Sequence, residues 1–326
     1  MAVFGLGRKR TATAEPAGGA PGPDPRTLPC DGDAEAVAIQ QLTARQDWPA
    51  LRAVLAGYQG HDLASLIRWS IETPGAEWLE AALVVEKDDA LAMAVLGTRT
   101  IEAAWAVRTG ARAQHVSQDQ FRRFHEILRV AEEQLYASVE LDPQSSAAWY
   151  ALLISGRGLE VGLEIQQRRF EVVTRVTPGH PGAHRQMLQQ LCRKWSGSHE
   201  QMHAFATEAM RGPFGGELGD LVPQAYFEHL GDLDKDSPER AFITSAESRA
   251  ELREAAERTI FRPGHHNPRA PYTAANRFAW AFSAAGLWPE AKAAFAATDG
   301  VLVNWAHFND PAAVYRRQQA LARRNA

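Results

Sequence analysis

Three prolines that recur at intervals of 35 residues constrain the fold of this chain more than any other feature: Pro143, Pro178 and Pro213. Large apolar residues recur at the same interval before and after these prolines, as Leu135, Phe170 and Phe205 and as Leu152, Met187 and Val222. A period near ~34 residues, with a helix closed by a proline turn, is typical of helix-turn-helix solenoids. One hairpin cannot bury its apolar stripe alone, so neighbouring hairpins must pack side by side. The sequence therefore predicts an all-α fold, an α-solenoid of stacked helix hairpins, with Phe170 and Phe205 in its core.

Helical periodicity and turn residues predict further hairpins on both sides of the central repeats. A first pair of helices begins at Asp33, and the helices expected after it are 61–72, 75–86, 88–109 and 117–141. The central repeats predict 145–157, 160–176, 181–194 and 198–211. The remaining helices are expected at 217–231, 238–260, 272–285, 288–298 and 310–324. These make about six or seven hairpins, and no run alternates with period two for long enough to predict a strand.

Composition limits the domain organisation and the partners of the chain. Residues 1–32 are rich in Ala, Gly and Pro, which predicts a disordered leader, and residues 33–326 are predicted to form a single domain. The formal net charge of −4 offers no bulk attraction to nucleic acid or to an anionic membrane. No stretch reaches the ~18–20 apolar residues that span a bilayer, and two cysteines, Cys30 and Cys192, suit a reducing compartment. We therefore predict a cytoplasmic protein without nucleic-acid or membrane partners.

Two segments resemble known helical repeats. The stretch VELDPQSSAAWYALL is similar to tetratricopeptide repeats, and the hairpin 272–298 has the small and aromatic residues of such repeats at the usual spacing, in Ala279, Gly286, Ala291 and Phe295. The run CRKWSGSHEQMHAFATEAM resembles the core of a bacterial family of tetratricopeptide-like proteins of unknown function, through Lys194, Trp195, Gly197, Ser198, Glu200, Met202 and Phe205. This resemblance implies a helical superhelix that binds partners, and it implies no reaction.

The sharpest chemical motif in the chain is His199-Glu200-Gln201-Met202-His203, which has the form H-E-x-x-H. On a helix the two histidines share one face and can bind zinc, with Glu200 as the general base of a hydrolase. A second interpretation is structural, because Ser198 has the position of an N-cap and Gln201 that of its capping-box partner. The first turn of a helix is electropositive, which disfavours a bound cation. We therefore expect a capped structural helix and no metal, with a zinc-dependent hydrolase using His199, Glu200 and His203 as the alternative.

Arginine pairs recur along the chain, but they do not predict nucleic-acid binding. Arg122 has Glu126 four residues later, and the pair Arg168-Arg169 has Glu164 four residues before Arg168. Opposite charges at this spacing form ion pairs on exposed helix faces. We therefore predict solvated, ion-paired helix surfaces at these arginines.

The function that these patterns favour is that of a non-enzymatic scaffold, without a cofactor, for an unknown protein or peptide. First helices of successive hairpins line a continuous surface that can hold an extended segment or a helix. The candidate binding residues lie on, or at the end of, predicted first helices: Tyr150, Arg185, Gln189, Arg193, Lys194, Trp195, Tyr226, His229, Arg277 and Trp280. A structural protein that self-associates through its end hairpins is a further alternative.

Overall fold

The computed structural model describes residues 24–71, 75–109, 115–195, 197–305 and 308–326, and over these residues the fold is all-α. Two 3₁₀ helices, Pro29–Gly32 and Pro238–Thr244, accompany the α-helices. In chain order the sixteen α-helices of the described residues are α1 Ala34–Thr43, α2 Trp48–Leu55, α3 Gly60–Ser70, α4 Glu77–Val85, α5 Ala90–Arg108, α6 Gln118–Leu141, α7 Ser146–Gly158, α8 Leu163–Val176, α9 Pro181–Gln190, α10 His199–Arg211, α11 Gly215–Leu218, α12 Leu221–Asp232, α13 Ala246–Arg258, α14 Thr273–Ala285, α15 Trp288–Ala297 and α16 Pro311–Asn325. Sixteen helices are slightly more than six or seven hairpins require.

The repeat of 35 residues is visible in the helix boundaries. Helices α6, α8 and α10 end at Leu141, Val176 and Arg211, and α7 and α9 begin at Ser146 and Pro181. Both sets of boundaries therefore follow the proline spacing. Side-chain hydrogen bonds to the first turns explain several of the starts, because an acceptor before a helix satisfies its unpaired N–H groups. At α6, for example, Ser117 and Gln120 form the predicted capping box.

Two predicted helices end or break early. Helix α9 stops at Gln190 instead of 194, because the chain turns there and the N–H of Trp195 donates to the carbonyl of Cys192 at 2.9 Å. The helix expected over 238–260 is a 3₁₀ helix followed by α13. The break is at Ser245, whose Oγ accepts from the N–H of Ser248 and so starts a new helix.

We predicted one domain over 33–326, whereas the backbone contacts group the chain into two compact units. The N-terminal unit comprises the described residues of Asp33–Thr109 and Gln114–Phe205. The C-terminal unit comprises Ala206–Ala326 together with residues 24–32. The boundary falls inside α10.

The N-terminal unit is built around α5 and α6, which pack closely along their length. Gly97 permits this approach, because a Cβ there would lie 2.6 Å from Cγ of Leu135. Helix α5 is the one helix of the described residues that is long and apolar enough to cross a membrane. Half of its most apolar stretch of 18 residues is buried within the protein, as is common for a core helix.

The C-terminal unit contains the predicted hairpin of α14 and α15. Ala279, Ala291 and Phe295 are buried, and Gly286 ends α14 in the left-handed conformation at φ 67°. Glycine is favoured at such a position because it has no Cβ to clash. Asn276 on α14 fixes the segment after α15, since its side-chain oxygen accepts from the indole N–H of Trp305 at 2.8 Å.

Part of the predicted leader is ordered. Arg26 exchanges two backbone hydrogen bonds with Gly300 and Leu302, at 2.9 and 2.8 Å, and its side chain pairs with Asp299. Cys30 is 6% exposed. These backbone bonds and the burial of Cys30 offset the cost of ordering residues 24–32, which belong to the predicted leader. Residues 1–23 lie outside the described residues.

Candidate functional site

In the N-terminal unit, α5 and α9 both pack against α7, and we call the surface that these three helices share the first-helix face. Helix α7 packs against both α5 and α9, while α6 packs against α5 and α7, and α8 against α7 and α9. In helical repeats this order creates one continuous face lined by the first helices. Helix α3 of the same unit packs against α5, α7 and α9 alike. Part of the first-helix face is therefore covered by the chain itself.

A buried histidine joins α3 to the start of α9. Nδ1 of His180 accepts from the N–H of Ala183 at 3.0 Å and so caps α9. The His180 ring stacks on Tyr150 of α7 at 5.2 Å and meets the edge of His61 of α3 at 5.0 Å. Burial, and then the neighbouring His61, hold the pKa of His180 well below its ordinary value. A neutral ring suits this position, because protonation at Nδ1 would break the cap.

A buried arginine holds the other end of α3. Nη1 of Arg99, on α5, donates to the carbonyl of Ser70 at 2.7 Å, and its Nη2 donates to the carbonyl of Gly75. The guanidinium lies over the ring of Trp78 at 5.7 Å. A cation at a helix C-terminus satisfies carbonyl groups that have no partner within the helix. Helix α3 is thus fixed at both ends.

The position of α3 changes the interpretation of Tyr150. We predicted that this side chain projects into an open groove, but it is 6% exposed and packs on His180. Leu66 and Ile67 of α3 are 0% and 1% exposed. The sequence could not show that an earlier helix returns to cover the first helices. Helix α3 therefore leaves Tyr150 no open surface.

A row of alternating aromatic rings and guanidinium groups lies at the C-terminal ends of the first helices. Arg108, in the last turn of α5, lies over the rings of Trp105 at 5.4 Å and Phe121 at 5.8 Å. Arg157, in the last turn of α7, lies over the rings of Trp105 at 5.9 Å and Trp195 at 5.7 Å. We call these five residues the arginine–tryptophan row. It connects α5, the start of α6, α7 and the turn after α9.

The members of the row differ in exposure. Arg108 is 7% exposed, and burial lowers its pKa. Arg157, Trp105 and Trp195 are half-buried and reach the surface. Nη1 of Arg157 also donates to Oε1 of Gln186 on α9. Guanidinium groups held over aromatic rings keep their charge and lose little freedom when they bind, so the row is a preorganised cationic and aromatic surface.

A tight turn after α9 brings Trp195 to the row. The N–H groups of Trp195 and Gly197 both donate to the carbonyl of Cys192, at 2.9 and 3.4 Å. A Cβ at Gly197 would lie 2.1 Å from the carbonyl oxygen of Leu191. Glycine is therefore required at 197 for the backbone to close this turn. Gly197 thus permits the turn that holds Trp195 at the row.

The other candidates from this region lie close to the same turn in sequence. Arg185 and Gln189 are half-buried on α9. Arg193 and Lys194 are exposed in the turn that follows α9, not on the helix where we expected Arg193. Of the predicted residues, the structure places Trp195 in the row, and the two exposed cations immediately precede it in the chain.

The predicted residues of the C-terminal unit are mostly used within that unit. The hydroxyl of Tyr226 donates to Oε2 of Glu251 at 2.6 Å, and burial followed by this bond raises the pKa of Tyr226. Arg277 forms an ion pair with Asp220 at 2.5 Å, between side chains that are 17% and 4% exposed. These two residues are therefore held by acidic partners inside the unit and are not the open contacts that we predicted.

His229 and Trp280 make aromatic contacts. His229 stacks on Phe242 with ring centroids 4.1 Å apart, and Trp280 meets Phe227 edge to face at 4.9 Å. Phe227 and Trp280 are both half-buried, on α12 and α14. They form a second, apolar candidate contact, smaller than the arginine–tryptophan row.

The H-E-x-x-H motif occupies the first turn of α10, as its structural interpretation predicts. The N–H of Gln201 donates to Oγ of Ser198 at 3.2 Å, and Met202 is 0% exposed. Burial, and then the charge of His199, lower the pKa of His203 to about 4. Nowhere in the described ranges do three or more His, Cys, Asp or Glu side chains gather at metal-binding distance. The hydrolase alternative lacks a visible third ligand there and stays a prediction.

Four members of the row were missed in the sequence: Trp105, Arg108, Phe121 and Arg157. They belong to three helices and follow no repeat spacing. The available signal was weak, namely that Trp105 and Arg108 are three residues apart and share a helix face. The approach of Arg157 to Trp105 depends on how α5 and α7 pack, which no local pattern encodes.

Comparisons with known proteins match the chain to no family model and to no curated protein.

Proposed function

We propose that this chain is a non-enzymatic, tetratricopeptide-like α-solenoid that binds a protein or peptide partner. The observation that carries the proposal is the arginine–tryptophan row, a partly exposed surface built from α5, the start of α6, α7 and the turn after α9. Tryptophan and arginine are the residues that most often dominate binding energy at protein interfaces. Helices α5, α7 and α9, packed in repeat order, supply a firm support for such a surface.

The position of α3 supports the same proposal. The first-helix face already accommodates one helix along its N-terminal part, through Leu66, Ile67 and the contacts of His180 and Arg99. A partner would then bind at the part that α3 leaves uncovered, where the row lies. This assignment places recognition at the ends of the first helices, with α3 as part of the scaffold.

Capture from the native cell followed by titration of purified components tests the proposal. The full chain serves as bait, beside Trp195→Ala and a matched control, Trp149→Ala. Trp149 is also half-buried, but it lies in the first turn of α7, where its indole N–H donates to the carbonyl of Pro143. We expect one partner to bind the parent and the control alike and to bind Trp195→Ala at least ~10-fold more weakly. The absence of any partner that binds the purified chain would refute the proposal.

A second candidate function is self-association, which an exposed apolar pair on α4 favours. Val84 and Val85 are 74% and 83% exposed at the end of this helix. Charged residues of both signs, Lys87 and Asp88, follow directly, which suits a two-fold contact between copies. Light scattering of the full chain and of Val85→Lys over a range of concentrations tests this candidate. A mass that is monomeric at every concentration for both proteins would exclude it.

A further inference from the structure

His180 lies where α3, α7 and α9 meet, and its ring cannot take up a proton without breaking a contact. Nδ1 accepts from the N–H of Ala183, so the proton of the neutral ring is on Nε2. Nε2 is buried and has no hydrogen-bond partner among the described residues. A proton added at Nδ1 would point at an N–H group in the first turn of α9. We propose that His180 is an acid-sensitive latch, whose protonation releases the start of α3 from α7 and α9. This inference goes beyond the proposed function and does not depend on it.

The groups around the His180 ring oppose a positive charge there. His61 faces the ring from α3, and Tyr150 stacks on it from α7. Burial, and then the charge of His61, lower the pKa of His180. His184 and Arg185 of α9 act in the same direction, and a backbone hydrogen bond offsets only part of these effects. The electropositive first turn of α9 also opposes protonation. A charged ring is therefore disfavoured as long as the three helices stay packed.

The acidic and basic residues on the adjoining helix turns do not compensate such a charge. Asp62 lies in the first turn of α3, next to His61, and Arg175 lies in the last turn of α8, which also packs against α9. Both side chains are exposed. Water screens exposed charges, so neither residue offsets the cost of a proton on the buried ring. The protonated ring is therefore stabilised by gaining access to water.

The start of α3 is the part of this junction that depends most on packing. No side-chain hydrogen bond caps α3 at Gln59, whereas α9 begins with Pro181, whose ring presets the first helical turn. An isolated helix of 11 residues is marginal in water, so α3 is held by its neighbours. Arg99 continues to bind the carbonyl of Ser70 at the far end of α3. We therefore expect the start of α3 to open while its end stays in place.

The direction of the pH effect follows from the two states of the junction. With α3 packed, the pKa of His180 lies well below 6.5, and with α3 released the ring is in water and its pKa returns towards 6.5. The packed state is therefore fully favoured above this ordinary value. Below it, the ratio of packed to released chains falls by up to about 10-fold per pH unit, until the pH reaches the lowered pKa. Release uncovers the ring of Tyr150, which is buried while α3 is packed.

Hydrogen–deuterium exchange of the full chain, measured by mass spectrometry and expressed as protection factors, tests the inference. Protection factors remove the intrinsic pH dependence of amide exchange. We expect the protection of residues 63–67 to fall at least ~10-fold between pH 7 and pH 5. Protection of α5 and α6, which form the core of the same unit, should change less than ~2-fold. Unchanged protection of α3, or an equal loss in α5 and α6, would overturn the proposal.

Matched variants assign the effect to His180. His180→Asn keeps a side-chain acceptor for the first turn of α9 but does not titrate, so the loss of protection in α3 should shrink to less than ~2-fold. His203→Gln is the control, because it removes another buried histidine with a lowered pKa, on α10, and should respond to acid as the parent does. If His180→Asn does not fold by circular dichroism, His61→Phe serves instead. It keeps an aromatic edge against His180 and removes one opposing charge, so the loss should be at least ~2-fold smaller than in the parent. A loss equal to that of the parent in the folded variant would refute the latch.

Discussion

Replacing Arg169 by alanine should destabilise the N-terminal unit far more than the same change at the adjacent Arg168. Arg169, on α8, is 4% exposed, and its two terminal nitrogens donate to the carboxylate of Glu132 on α6 at 2.8 and 3.0 Å. The same guanidinium donates to the carbonyl of Leu152 at 2.6 Å and to the hydroxyl of Tyr136 at 2.8 Å. Burial alone would lower the pKa of Arg169, but Glu132 and Tyr136 raise it on balance.

The expected magnitude follows from what remains after truncation. The Glu132 side chain is 15% exposed, so alanine at 169 leaves a largely buried carboxylate whose other bond comes from the hydroxyl of Ser155 at 2.8 Å. Removing one partner of a buried pair costs about 3–5 kcal/mol, because the remaining charge is desolvated without compensation. Since Glu132 keeps some exposure and one hydrogen bond, we expect about 3 kcal/mol for Arg169→Ala.

Urea unfolding followed by circular dichroism measures this difference. Arg168→Ala removes an exposed pair with Glu164 and should stay within roughly 0.5 kcal/mol of the parent. The double variant Arg169→Met, Glu132→Leu removes both charges and should recover most of the loss. A loss below about 1 kcal/mol for Arg169→Ala, or a double variant as unstable as the single one, would refute the reasoning.

Three further predictions concern pH, packing and the turn after α9. The pKa of His203 is about 4 in the folded chain, whereas an unperturbed histidine has a pKa of 6.5. As the pH falls, the unfolded chain therefore takes up a proton at His203 before the folded chain does. The free energy of unfolding should fall by up to about 3 kcal/mol as the pH drops from 6.5 towards 4. Urea unfolding at several pH values should show a smaller fall for His203→Gln. An equal fall in the variant and the parent would contradict the lowered pKa of His203. Phe205→Ala should cost about 1–3 kcal/mol in thermal or urea unfolding, less than a full core cavity, because Phe205 is half-buried against His184 with centroids 5.9 Å apart. Gly197→Ala should destabilise the chain by more than about 2 kcal/mol, because the added Cβ would lie 2.1 Å from a backbone oxygen. Gly231→Ala is the control and should be neutral or slightly stabilising, because a Cβ there has nothing within 4 Å. Equal effects of the two substitutions on the unfolding midpoint would contradict the requirement for glycine in the turn after α9.

Local sequence signals predicted most of the helices because their causes are local. The spacing of Pro143 and Pro178 fixes where helices end, and the capping box of Ser117 and Gln120 fixes where α6 begins. The same reasoning was less accurate for burial. It placed Phe170 and Phe205 in the core by their repeat register, but both residues are half-buried and meet edge to face with ring centroids 5.8 Å apart.

For the arginines too, the sequence predicted contacts between residues close in the chain but not contacts between distant ones. The pairing of Arg122 with Glu126 and of Arg168 with Glu164 is set by helical spacing, and both pairs are present, at 2.9 and 2.6 Å. Arg169 was expected on a solvated face as well. It is buried because α6 and α7 bring Glu132 and the carbonyl of Leu152 to it, residues that are distant in sequence.

The sequence alone determined the helical class, the period of the central repeats and the capped helix at the H-E-x-x-H motif, since each depends on residues a few positions apart. The tertiary structure alone decided that α3 covers part of the first-helix face, that Tyr150 is buried and that Arg157 lies over the rings of both Trp105 and Trp195. These features require segments from different hairpins to meet, and that meeting is set by the packing of whole helices, which is not encoded in the order of neighbouring residues.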